Sequence, residues 1–261
     1  MEFISPNFSA DVCHLLRKCT LKCLLKLSSD LWHSSVKYQT KKRVNCCFEY
    51  SRDINRFVIT KVKKTPYSRI TQLTISECSD DSEDMVTIIN DVIPQLAYDN
   101  LSILNFHSPV SRIYKQLIAY GCLFSEVNLT FVPNVSMKYL EILIEKETLK
   151  KVMLTGDWQK QDAHKIEKLF SQKQLIMFDS ESAENLLFTS KAIAPIFWHF
   201  KGKHKKFVFN VDFPKSEGNQ IIERVLKRRN YFKRFSTWKH VASNLHLTTY
   251  INNNCFHASG S

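Results

Sequence analysis

The densest group of residues able to hold a metal ion is Cys13, His14, Cys19 and Cys23. Zinc sites built from thiolates bring two cysteines together two to four residues apart, usually twice over. The spacing here matches no such pair of hooks, and cysteines at helical spacing near leucines read as small core residues. His164 and Glu167 lie one helical turn apart and read as polar surface. Cys46 and Cys47 fall in an alternating apolar segment, so their side chains leave a strand on opposite faces and cannot chelate together. Nucleophile-elbow, P-loop and dinucleotide-binding glycine patterns are missing, and the chain has only five glycines with which to cradle a phosphate. No catalytic residue, metal ligand or cofactor is therefore expected, and the chain reads as a binding protein, not an enzyme.

A different chemistry is carried by cations interleaved with aromatic rings. Lys203, Lys205 and Lys206 form one basic run; Lys227, Arg228 and Arg229, followed by Tyr231, Phe232, Lys233, Arg234 and Phe235, form another. Such a pattern suits phosphate contacts with base stacking, or a nuclear-import signal. It equally suits a helix whose C-terminus favours cations, followed by core aromatics. Charge is distributed unevenly. Residues 1–64 carry 13 Lys/Arg against 5 Asp/Glu and residues 201–261 carry 12 against 3, whereas the stretch between them carries 12 against 17. Two basic ends flanking an acidic middle suit polyanionic or acidic partners, or serve solubility alone.

The elements that must position these residues follow from the apolar pattern. Hydrophobic residues make up 44% of the 261, enough for a sizeable core. No apolar run reaches 18 residues, and Met1-Glu2-Phe3 opens without a basic region before an apolar one, so neither a membrane span nor a secretory leader is expected. The expected setting is cytoplasmic, nuclear or both, with most of the eight cysteines reduced. Sequons at Asn128 and Asn134 carry no meaning in that setting.

One motif recurs, apolar-x-x-apolar-x-apolar. It is present at Ile70, Leu73, Ile75; at Leu101, Leu104, Phe106; at Phe124, Val127, Leu129; and at Leu149, Val152, Leu154, with weaker copies near Leu175, Met177, Phe178 and at Phe207, Phe209, Val211. Short, alternating and β-prone, these segments read as strands. Amphipathic stretches separate them at 84–96, 110–120 (closed by Gly121), 137–144 (opened by Asn134 or Ser136) and 157–170 (opened by Asp157). Strand, turn and helix repeated at this interval predict an α/β protein in which strands starting near 70, 101, 124 and 149 lie parallel in chain order. Leu73, Leu104, Val127 and Val152 should then be buried in register. The spacing resembles leucine-rich repeats, and implies a short irregular βα solenoid over 65–213. The Asn or Cys that the family places beyond the last apolar position occurs only as Cys78; Pro109, Val132 and Asp157 stand in the other copies. An unrelated α/β layer protein of similar period is the alternative.

Upstream, three short amphipathic helices fit within 1–43, and 44–64 reads as a β-hairpin with a basic linker. Residues 214–251 read as a basic C-terminal cap with an edge strand from Leu245 to Ile251, and 252–261 as a flexible polar tail. The N-terminal pattern Pro6, Phe8, Val12, Leu15, Leu16, Leu21, Leu24, Leu27-Ser28 and Trp32 resembles a divergent F-box, without its opening acidic residue and with the tryptophan one position late. An F-box before repeats, in a chain rich in Phe, Cys and Lys, is similar to the large nematode families of F-box proteins. The resemblance implies a substrate-recognition adaptor of a Skp1–cullin–F-box ubiquitin ligase. Phe8, Val12, Leu16, Leu21, Leu24, Leu27 and Trp32 would dock on a Skp1-like protein, and the repeats would hold an unknown protein substrate. The helices could instead cap the first repeat. The rival function is that of a nucleic-acid-associated repeat protein using the basic aromatic C-terminal region.

Overall fold

The computed structural model describes residues 5–15, 21, 23–42, 44–51, 56–58, 68–76, 83–96, 101–183, 185–198, 205–228, 231–234, 237–240, 246–252 and 255–260. The chain is an α/β protein that divides into two compact units, Met1–Phe124 and Ser125–Ser261. Among the described residues no helix is long and apolar enough to cross a membrane.

In the first unit, helices α1 (Pro6–Leu15) and α2 (Asp30–Lys42) precede strands β1 (Val44–Ser51), β2 (Arg56–Val58), β3 (Ser68–Ser76) and β4 (Leu101–Phe106). The expected hairpin is formed by antiparallel β1 and β2, but β1 also pairs in parallel with β3 along its length. The hairpin thus belongs to the sheet. β3 and β4 are parallel, with Leu73 opposite Leu104 and both fully buried; Phe48 of β1 lies opposite Leu73 on the other side. A row of buried side chains at one level of consecutive strands is what the period-2 pattern demands once one face is covered. Cys46 is buried, whereas Cys47 is half-exposed and donates its thiol to Gln72 Oε1 at 2.7 Å, so the pair splits between faces.

The stripe expected at 84–96 is not one regular helix. Helix α3 consists of Glu83–Thr87, a π segment Ile88–Val92 and a last turn Ile93–Leu96. The amide of Ile93 reaches back five residues to Ile88, and Pro94 has no amide to donate, so the widened turn sits where the regular ladder could not continue. Helix α4 (Ser111–Ala119) ends as expected at Gly121, whose φ of 63° is left-handed. The Cys122 amide bonds the Leu117 carbonyl and the Gly121 amide that of Ile118, closing a Schellman end.

In the second unit, β5 (Phe124–Thr130), β6 (Lys151–Thr155), β7 (Met177–Asp179) and β8 (Lys206–Asn210) pair in parallel in chain order. Val127, Val152, Phe178 and Phe207 lie opposite one another, all buried. Between β5 and β6 runs α5 (Ser136–Glu145). Neither Asn134 nor Ser136 caps it; the N-cap is Val135, without a side-chain bond. Ser136 has another task. Its hydroxyl accepts the Val132 amide (3.0 Å) and donates to the Val132 carbonyl (2.9 Å). A buried serine thereby satisfies the backbone of the turn at Val132. After β6 the buried Trp158 donates its ring N–H to the Thr155 carbonyl.

The stretch expected as a helix from 157 to 170 shortens to α6 (Ala163–Ile166), between 3₁₀ turns at Lys160–Asp162 and Glu167–Ser171. It is opened by Gln159 and Asp162 in a reciprocal capping box, not by Asp157. Helices α7 (Ile193–Trp198) and α8 (Lys215–Arg228) follow.

Two expectations at the C-terminus are overturned. Residues 255–260 form strand β12 (Cys255–Gly260), antiparallel to β8 and to β11 (His246–Asn252), in place of a flexible tail. Phe256 and Ala258 are buried against this sheet, and the pairing satisfies a β8 backbone that would otherwise present an open edge. β11 is consequently internal, because β10 (Thr237–His240) pairs on its other side and β9 (Tyr231–Arg234) beyond that.

Candidate protein-docking site on the N-terminal helices

Local sequence explains how the helices begin. Ser5 precedes Pro6; its hydroxyl accepts the Phe8 amide (3.1 Å), and proline takes the first helical position, where no amide partner is needed. α2 starts with Asp30 in its first turn, where a negative charge meets the positive helix end, and the Ser29 carbonyl accepts the His33 amide. Between the two helices Leu21, Cys23 and Leu24 are helical and a turn follows at Leu25 and Lys26. His33 Nε2 lies 2.8 Å from the Leu25 carbonyl and ties that turn to α2.

α1 and α2 meet across small and polar residues. Ser9 and Ser35 share a hydrogen bond (2.8 Å), and Gln39 donates to the Ala10 carbonyl (3.3 Å). Among the described residues their core consists of Cys13, Leu21 and Val36, buried, with Leu24 and Trp32 packed against them and partly exposed. All five come from the helices themselves, so the module carries a core of its own. Cys13 is a buried thiol within it and Cys23 is exposed; Cys19 and the His14 side chain lie outside the described residues.

Of the residues expected to dock a partner, Leu21 is buried, Val12, Leu24 and Trp32 are half-buried, and Phe8 (53%) and Leu27 (45%) are exposed. Leu16 lies outside the described residues. Two exposed side chains were not anticipated, Leu25 and Tyr38. The helical spacing that aligns Leu25 with Leu21 is cut by the turn at Leu25, which turns that leucine outward. Among the described residues, four of the seven large exposed hydrophobic side chains (Phe8, Leu25, Leu27 and Tyr38) fall within this short stretch. Isolated exposed apolar residues are ordinary; a concentration of them in one short stretch is not.

Comparison of the chain with protein-family models, with curated proteins and with solved structures returned no match.

Of the basic residues in the two runs, three have described side chains, Lys205, Lys206 and Lys227. Lys205 is buried (6% exposed) and its ammonium donates to the Lys173 carbonyl (3.4 Å). Lys206 pairs with Asp179 at 3.4 Å and Lys227 with Glu223 at 2.6 Å, one turn apart on α8. Arg228 ends α8, and Lys233 and Arg234 lie on β9; none of these three side chains is described, and Lys203 and Arg229 lie outside the described residues. His164 contacts the Gln161 carbonyl and Glu167 accepts from Thr189, so the two do not act as a pair.

Burial pushes the Lys205 ammonium below the ordinary lysine range. The folded state therefore releases this proton more readily than the unfolded chain, whose lysines titrate near about 10.4. Between the lowered value and that unfolded value, unfolding takes up a proton, and stability rises with pH. Lys205→Met, which keeps the stem and removes the charge, is expected to be more stable than the parent at neutral pH. That advantage should shrink as pH approaches 10, in urea unfolding of both chains at each pH. A pH-independent difference would show that burial of the charge is not what separates them.

Proposed function

We propose that the chain is a substrate-recognition adaptor of a Skp1–cullin–F-box ubiquitin ligase, with the helices of residues 5–42 docking on a Skp1-like protein. The observation that carries this reading is the concentration, among the described residues, of exposed apolar side chains on a helical module with a core of its own. A partner that covers them would gain roughly 1.5–3 kcal/mol for each large apolar side chain fully removed from water. The F-box pattern in the sequence names the partner. The array of parallel strands and intervening helices is read as leucine-rich-repeat-like, and it holds the substrate. The adaptor performs no chemistry, since ubiquitin transfer occurs elsewhere in such a ligase.

Basic-region binding to nucleic acid has less support, because Lys205 is buried and Lys206 and Lys227 each lie beside a carboxylate.

The test is co-expression of the full chain with Skp1. A one-to-one complex is expected on size-exclusion chromatography, and Phe8→Asp should remove Skp1 from that peak while the chain still elutes folded. Failure of the parent chain to retain any Skp1 would end the proposal.

A further inference from the structure

Strand β12 places Cys255 and His257 two residues apart, hence on the same side of the strand. Cys255 is paired in register with Asn210 of β8. The Asn210 side-chain amide lies within hydrogen-bond distance of the carbonyls of Ser180 (3.4 Å), Glu181 (3.2 Å) and Ala183 (3.4 Å), which anchors the turn after β7 beside the end of β12. The Glu181 amide in turn donates to Asp179 Oδ1 (3.3 Å). The outcome is a meeting of three donors from two distant parts of the chain. The Glu181 carboxylate, the Cys255 sulfur and a His257 ring nitrogen all lie within 4.8 Å of one another.

We propose that Glu181, Cys255 and His257 bind a zinc ion. Zinc takes thiolate, imidazole and carboxylate at about 2.0–2.3 Å in a tetrahedron, which separates neighbouring donors by about 3.5 Å. The three donors, within 4.8 Å of one another, lie at most about 1.3 Å beyond that separation. The thiolate and imidazole select a borderline-soft ion over magnesium or calcium, which prefer oxygen. Glu181 is exposed and Cys255 buried, so an ion enters from the carboxylate side and is held at the sulfur. Three protein donors leave the fourth position to water.

A catalytic cysteine–histidine pair is the other chemistry such a pairing suggests. Burial, with the Glu181 and Asp179 carboxylates close by, pushes the Cys255 thiol up to about 11. The thiolate is the reactive form in either chemistry, so the metal assignment rests on the convergence of the three donors and not on this shift. This proposal is independent of the adaptor reading.

The full chain, stripped of metal, would be titrated with Zn²⁺ against a chromophoric chelator, and with Co²⁺ while following the thiolate-to-cobalt charge-transfer band. One zinc per chain and a cobalt band are expected. Cys255→Ser should abolish the band, and both it and Glu181→Gln should weaken zinc by at least about 10–100-fold, the loss that even an outer-shell partner produces. Glu181 is exposed, so its variant should fold even if the serine variant does not. Cys23→Ser, at an exposed thiol outside the site, should leave the band unchanged. Absence of stoichiometric zinc, unchanged affinity in both site variants, or a band lost in Cys23→Ser instead would overturn the assignment.

Discussion

Replacing Phe209 with alanine is expected to destabilise the chain by about 3–5 kcal/mol, the usual cost of truncating a buried phenylalanine. Phe209 is fully buried on β8 and its ring stands 4.8 Å from that of Phe256, 5.0 Å from Phe188, 5.2 Å from Phe170 and 6.2 Å from Phe178. These rings come from β12, from the bridge beside Val211, from the 3₁₀ turn at Glu167–Ser171 and from β7. One truncation therefore opens a cavity where four separate segments converge, and none can fill it without leaving its own place. Edge-to-face pairs within such a cluster add about 0.5–1.5 kcal/mol beyond the area they bury. Urea unfolding should show a lowered midpoint. A loss below about 1 kcal/mol would mean that the Phe170–Phe178–Phe188–Phe256 cluster is not packed as described.

Two leucines of the N-terminal helices should behave oppositely when charged. Leu21 is fully buried in the Cys13–Val36 core. Leu21→Asp removes an apolar side chain, at roughly 2–5 kcal/mol for its truncation alone, and forces a carboxylate into an apolar site or opens that site to water. An unpaired buried charge of this kind is severely destabilising, and the helices should unfold. Leu27 is exposed, and Leu27→Asp should change stability by no more than about 0.5 kcal/mol. In a complex, however, the same aspartate would be desolvated without a partner. Affinity for Skp1 should fall by about 30-fold or more, corresponding to about 2 kcal/mol or more. Thermal unfolding by circular dichroism and Skp1 affinity would be measured on both variants. Loss of binding together with loss of structure in Leu27→Asp would make Leu27 a structural residue and leave the docking reading without its main support.

Much of the strand and helix pattern was legible in the residues. The motif around Leu73, Leu104, Val127 and Val152 gave parallel strands with those four buried, because a period of two with one covered face admits one register. Gly121 marked the end of α4, since a left-handed residue is needed there. The zinc candidate was not legible. Cys255 and His257 stood in a stretch read as a tail, and Glu181 lay far away in sequence, so no spacing rule could group them. Lys205 looked like one cation in a basic run; only the structure shows it turned inward.

What the sequence by itself determined is which short segments are amphipathic, with what period, and how one of their ends is chemically closed, at Gly121. These are local properties, set by side-chain spacing and by backbone groups within a few residues. The tertiary structure decided which edges pair and what lies next to what: β12 against β8, Phe256 against Phe209, Glu181 beside Cys255. Every strand offers the same row of amides and carbonyls, so backbone chemistry cannot choose a partner for the edge of β8. That choice comes from the burial of Phe256 and Ala258 against the sheet, a packing term that exists only once the distant strands have met.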